Sequence, residues 1–145
     1  MKGKLRALAK RRSVLHCVDD LSHEFSTAGG VKRAAVALGV IKHLELHEGD
    51  AWEGPPESLG EEGVDMLWVD FGVGKDLREF LGMYWGRLNP GGLCAVHSTV
   101  TNRATREWLE SVRAGGEDER LGPVHHFSFL EPHKRYQNAF TVLQK

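Results

Sequence analysis

The stretch that most constrains this chain is Val64-Asp65-Met66-Leu67-Trp68-Val69-Asp70. An apolar run of this length, rich in β-forming residues and ending on an acid, predicts a buried strand. Phe71-Gly72-Val73-Gly74 follows it. Leu77, Phe80, Leu81, Tyr84, Trp85 and Leu88 then recur at helical spacing. A short strand, a glycine loop and a helix make a βα unit, the building block of parallel sheets. Such sheets bind ligands beyond the carboxyl ends of their strands, so Asp70 and the glycine loop are expected on a binding rim.

The other elements fall around this unit. Residues 2–12 read as a short basic helix, whose charge suits a solvated face better than an RNA or lipid patch. Val14 to Val18 reads as a second buried strand, ending in Asp19-Asp20. Ser26 or Thr27 caps a helix through Leu38, with Val31, Ala34, Ala35 and Leu38 inward and Gly39 as its stop. Leu44-Glu45-Leu46 marks a strand within 40–47, followed by Gly49-Asp50-Ala51-Trp52 and a loop rich in proline and glycine. The helix from Lys75 to Leu88 is stopped by Asn89-Pro90-Gly91-Gly92. Leu93 to Val96 is a further buried strand, running into His97-Ser98-Thr99. Thr101 or Asn102 caps a helix to Arg113, with Ala104, Trp108, Leu109 and Val112 inward, and 115–122 reads as a polar surface loop.

Residues 124–130 and 139–143 alternate as strands. The linker between them is too short for a crossover helix, so the pair is expected to be antiparallel. Pro132-His133-Lys134-Arg135 would form its basic tip. The expected architecture is α/β, a Rossmann-like, mostly parallel sheet flanked by helices with a C-terminal antiparallel β-hairpin.

At 145 residues the chain is expected to form one domain, 1–145, with 1–12 as its basic helix. A net charge of −1 gives no overall pull toward nucleic acid or membrane, so neither is an expected partner. No apolar run approaches the roughly 20 residues that span a bilayer, and the N-terminus lacks the apolar core of a signal peptide. Both cysteines, Cys17 and Cys94, fall in predicted strands, which suits a reduced, cytoplasmic chain, with organellar import left open.

Four positions give the order a resemblance. An acid ends the strand at Val14–Val18. Gly49-Asp50-Ala51 forms a turn after the next strand. Asp70 ends the core strand, and Leu88-Asn89-Pro90-Gly91-Gly92-Leu93 precedes the following one. Together they resemble the later part of a class I S-adenosylmethionine-dependent methyltransferase, most closely the small-molecule O-methyltransferase group. The resemblance implies S-adenosylmethionine as cofactor and a small-molecule methyl acceptor. It implies that Asp19 or Asp20 binds the ribose hydroxyls, and that Asp50, Ala51 and Trp52 lie near adenine. Asp70 and Phe71 would border the methyl donor, with Asp70 and His97 at the catalytic centre.

The family's first strand and its glycine-rich turn are expected before Val14, and no such motif is there. The sequence therefore reads as an N-terminally incomplete or degenerate domain with an open sheet edge, and oligomers with itself or another chain are expected through that edge. The alternative function is a non-catalytic module of this fold that pairs with another chain.

The residues also have plainer readings. Asp19, Asp20 and Asp50 suit strand ends and caps. Trp52 suits core packing. His97 suits either a general base or a hydrogen-bonded strand end. In the metal-dependent O-methyltransferases an acid at the Asp70 position works with an Asp-Asn pair. Here that pair is His97-Ser98, so no metal is expected there. His43 and His47 lie four apart in an expected strand, and His125 and His126 face opposite sides, so no zinc site is expected either.

Overall fold

A computed structural model describes residues 13–21, 26–61, 63–71, 73–113, 118–131 and 138–145. The expected basic helix at 2–12 and the hairpin tip at 132–137 lie outside them. The chain divides into two compact units, Met1–Leu59 and Gly60–Lys145.

In the first unit, β1 (Leu15–Asp19) and β2 (Leu44–Glu48) pair in parallel and are joined by helix α1 (Ala28–Ala37). Five register pairs run from Leu15↔Leu44 to Asp19↔Glu48. Helix α1 ends where expected, because Gly39 at φ +70° adopts the left-handed conformation that a helix stop favours. Its buried face is narrower than the apolar spacing predicted. Ala28 and Ala35 are buried, whereas Val31 and Leu38 are exposed. Thr27 makes no side-chain cap. The Ser26 hydroxyl receives the Ala28 N–H at 3.4 Å. Residues Ile41–His43 form a 3₁₀ turn, so His43 is not in the strand that was expected to hold it.

The second unit holds a four-stranded sheet in the order β3-β4-β6-β5. Its strands are β3 (Val64–Val69), β4 (Leu88–His97), β5 (His125–Glu131) and β6 (Asn138–Gln144). β3 and β4 are parallel, while β6 runs antiparallel to both β4 and β5. The C-terminal hairpin therefore forms as expected. Helix α2 (Leu77–Tyr84) is flanked by 3₁₀ turns at Gly74–Asp76 and Trp85–Arg87. Every apolar position predicted to face inward, from Leu77 to Leu88, is buried.

Four expectations change here. β3 is not buried on both faces. It is one of the two edge strands of this sheet among the described residues, and Met66 and Trp68 are each 57% exposed. Asn89-Pro90-Gly91-Gly92 does not merely end the helix. It loops out of β4 opposite Asp65, so the register passes from Val64↔Leu88 to Met66↔Leu93. A Cβ on Gly92 would lie 2.8 Å from the Asn89 carbonyl oxygen, so the loop closes only around glycine.

The third change concerns the inward face of helix α3 (Arg103–Arg113); its cap, Asn102, is one of the two residues expected. Its side-chain oxygen accepts the Ala104 N–H at 2.9 Å and the Thr105 N–H at 3.3 Å. Thr105, Leu109 and Val112 point inward, while Ala104 is exposed and Trp108 half-buried. The 118–122 turn is no surface loop either, because Asp118 and Leu121 are buried. No helix among the described residues is long and apolar enough to cross a membrane.

Candidate functional site

Parallel pairing brings two of the predicted residues together. Val69 pairs with Val96, so Asp70 and His97 follow side by side at the carboxyl ends of β3 and β4. The Asp70 carboxylate lies 2.8 Å from His97 Nδ1. On the other side of the ring, Glu131 at the end of β5 places its carboxylate 3.1 Å from Nε2. Each ring nitrogen thus faces a carboxylate. Because the two carboxylates lie on opposite sides of the ring, they do not converge on a point that a cation could occupy.

The next residue supports this arrangement. Ser98 has φ +65°, a left-handed conformation that costs a non-glycine residue about 1 kcal/mol or more. Its hydroxyl receives the Asn138 amide at 3.0 Å and sits 3.2 Å from His97 Nδ1. The strained turn aims this hydroxyl at the imidazole. The side chain of Asp70 is half exposed and that of His97 mostly covered, so Asp70 is the member of the group open to a ligand. Phe71 is exposed beside it and packs edge-on against Phe80, with ring centroids 5.0 Å apart.

In the first unit, β1 and β2 also end level with each other. Asp19 is half-buried, and its Oδ1 accepts the Ser26 hydroxyl at 2.7 Å. Its backbone oxygen accepts the Gly49 N–H at 3.2 Å, which ties the two strand ends together. Asp20 is exposed. Asp50 caps the 3₁₀ turn Ala51–Glu53, its Oδ1 accepting the Trp52 N–H at 2.9 Å. Ala51 and Trp52 are half-buried, so Trp52 does not fill a core.

These are the side chains of the first unit that would hold the adenosine part of S-adenosylmethionine. Asp19 uses one carboxylate oxygen on Ser26, and its other oxygen suits a ribose hydroxyl. Asp50 is held by its own turn at the tip that follows β2.

A second polar centre was not visible in the sequence. The Asp118 carboxylate accepts from Arg78 at 2.6 Å, the Trp108 indole at 2.9 Å, and the N–H groups of Arg120 and Leu121 at 2.8 and 3.1 Å. Burial alone would push this carboxyl up. The hydrogen bonds from Arg78, the Arg120 N–H, Trp108 and the Leu121 N–H outweigh it and hold it at about 2. Asp118 thereby clamps α2 to α3 behind the sheet. Glu131 was missed as well, because only strand pairing brings it to a histidine 34 residues away.

No protein-family model and no curated protein matches this sequence. Solved structures do match it. An O-methyltransferase from Streptomyces achromogenes involved in tomaymycin synthesis, in complex with SAM, superposes with a TM-score of 0.66 at 21% identity. The match covers 90% of this chain and 61% of that one, so the chain spans about three fifths of that protein's length. An O-methyltransferase from Bacillus cereus in complex with SAH gives 0.64 at 13% identity, over 90% of this chain and 62% of that one. An rRNA methylase from Streptococcus thermophilus gives 0.63 at 16% identity, over 91% and 73%. The fold is therefore that of the class I S-adenosylmethionine-dependent methyltransferases, as the sequence motifs implied.

Proposed function

We propose that this chain binds S-adenosylmethionine and directs methyl transfer to a hydroxyl group of a small molecule. The observation that carries this reading is the run Asp70–His97–Glu131 on the carboxyl rim of a sheet with the methyltransferase fold. The cofactor supplies an electrophilic methyl group on a sulfonium centre. Asp19 would hold the ribose hydroxyls by charge-assisted hydrogen bonds, and Asp50, Ala51 and Trp52 would border the adenine. Asp70 presents its half-exposed carboxylate to the acceptor hydroxyl, with Phe71 alongside. The Asp70 carboxylate, backed by His97, would take the hydroxyl proton as the acceptor oxygen replaces sulfur on the methyl carbon, the carbon–sulfur bond breaking and S-adenosylhomocysteine leaving. His97 positions Asp70 through Nδ1 and is itself held by Glu131 at Nε2.

Calorimetric titration with S-adenosylhomocysteine tests this reading. Saturable micromolar binding is expected, weakened at least tenfold by Asp19→Ala or Asp50→Ala in variants that keep the parent circular dichroism. Absence of binding by a folded, monodisperse sample overturns it.

A second reading, a module that pairs with another chain, is supported by one specific observation. β3 has a strand on only one side among the described residues, and Met66 and Trp68 stand exposed on it. Self-association that Trp68→Lys abolishes, in a sample that binds no S-adenosylhomocysteine, is the result this reading expects.

A further inference from the structure

We propose that His16, Glu45 and His47 form a zinc site on the face of the β1–β2 sheet. The register places His16 opposite Glu45 and Val18 opposite His47. Side chains alternate along a strand, so His16, Glu45 and His47 all project from one face. Cys17 projects from the other and takes no part.

The donor atoms converge. His16 Nδ1 lies 3.1 Å from His47 Nε2 and 3.6 Å from a Glu45 carboxylate oxygen, and all three ligand atoms lie within 4.8 Å of one another. Tetrahedral zinc with bonds of about 2.0–2.1 Å sets its ligand atoms roughly 3.3 Å apart. Two imidazoles and one carboxylate suit zinc and not magnesium or calcium, and they leave a fourth position for water.

The surroundings favour a cation over a simple hydrogen bond between the rings. His47 Nδ1 faces the Ser58 hydroxyl at 3.3 Å. When Ser58 accepts that N–H, the Nε2 lone pair is left pointing at His16. Zinc-bound histidines are oriented by an outer partner in this way. Without a metal, the single proton on His16 Nδ1 has two acceptors, His47 Nε2 and Glu45, and serves only one. A cation in its place serves all three donors, with the His16 proton on Nε2.

The first unit also has little else to hold it. Ala28 and Ala35 are its buried apolar residues among those described, and a two-stranded sheet is marginal by itself. A metal joining β1 to β2 would couple zinc binding to the folding of this unit.

The test is a titration of the full-length chain, freed of metal and carrying no affinity tag, with Zn²⁺ against a chromophoric chelator. One equivalent is expected to bind. His16→Ala, His47→Ala and Glu45→Gln should each weaken it at least tenfold, and Ser58→Ala should weaken it roughly tenfold, the effect of losing an outer partner. His125→Ala, on β5 in the other unit, should leave it unchanged. Should a histidine variant fail to fold, Glu45→Gln decides, since Glu45 is exposed. Co²⁺ should give the intense visible bands of a tetrahedral site, and Zn²⁺ should raise the melting temperature of the parent chain. Binding that survives Glu45→Gln and His47→Ala unchanged, or no binding by the parent chain, overturns the proposal.

Discussion

Asp70 and His97 lie 27 positions apart in sequence and end adjacent parallel strands, their side chains meeting at 2.8 Å. If the pair receives the acceptor proton, Asp70→Asn and His97→Ala should each lower methyl transfer by about 10²–10⁴-fold, the usual worth of general acid–base catalysis. S-adenosylhomocysteine affinity should change far less with His97→Ala. Glu131→Gln should alter the pH profile of the rate more than its ceiling, because it acts only through His97. Steady-state rates across pH, beside calorimetric affinities, check all three.

Asp118 should set the acid stability of the second unit. Its folded value of about 2 lies below the ordinary 3.8. A carboxyl depressed on folding stabilises fully above the unfolded value and loses that contribution as pH falls through the folded one. The loss should therefore fall between about pH 4 and pH 2 and amount to about 2 kcal/mol. Asp118→Ala strands the Trp108 indole and the Arg78 guanidinium. It should cost about 2–4 kcal/mol at neutral pH and flatten this acid limb. Denaturant titrations between pH 2 and 7 measure both effects.

The two cysteines should differ sharply in reactivity. Burial pushes the Cys94 thiol up to about 12. Burial, with Asp19 adding to it, also raises Cys17, which is only half-buried. Thiolate is the reactive form, so both should alkylate slowly. Mass spectrometry of the native chain at pH 8 should find Cys17 labelled first and Cys94 labelled only on unfolding.

Leu81 sits on α2 at 0% exposure, among the tightest packed side chains of the second unit. Leu81→Ala should destabilise by about 2–5 kcal/mol, the transfer loss plus the cavity. Arg103→Ala, which removes an exposed pair with Glu107, should change stability by less than about 0.5 kcal/mol. Paired urea melts compare the two variants.

Sequence alone determined what depends on local periodicity and on chain reach. The 77–88 pattern fixed which side chains of α2 face the core. Gly39 fixed a helix stop, and the short 131–138 linker fixed an antiparallel hairpin. The acids at strand ends were visible for the same reason: a strand followed by a turn places its last polar residue on the rim.

Tertiary structure decided whatever depends on which strands become neighbours. One face of the β3-β4-β6-β5 sheet is uncovered among the described residues, so Met66 and Trp68 on β3 are exposed along with Leu93 and Phe127, although their sequence reads as core. Pairing of β4 with β6, and of β6 with β5, brought Glu131 to His97. Pairing of β1 with β2 brought His16 to His47, where spacing had suggested only His43. Asp118 became the hub of a buried network because Arg78, 40 residues earlier, folds onto it. Hydrophobic periodicity carries no record of such contacts, since it reports which face of an element is buried and not which element lies against it.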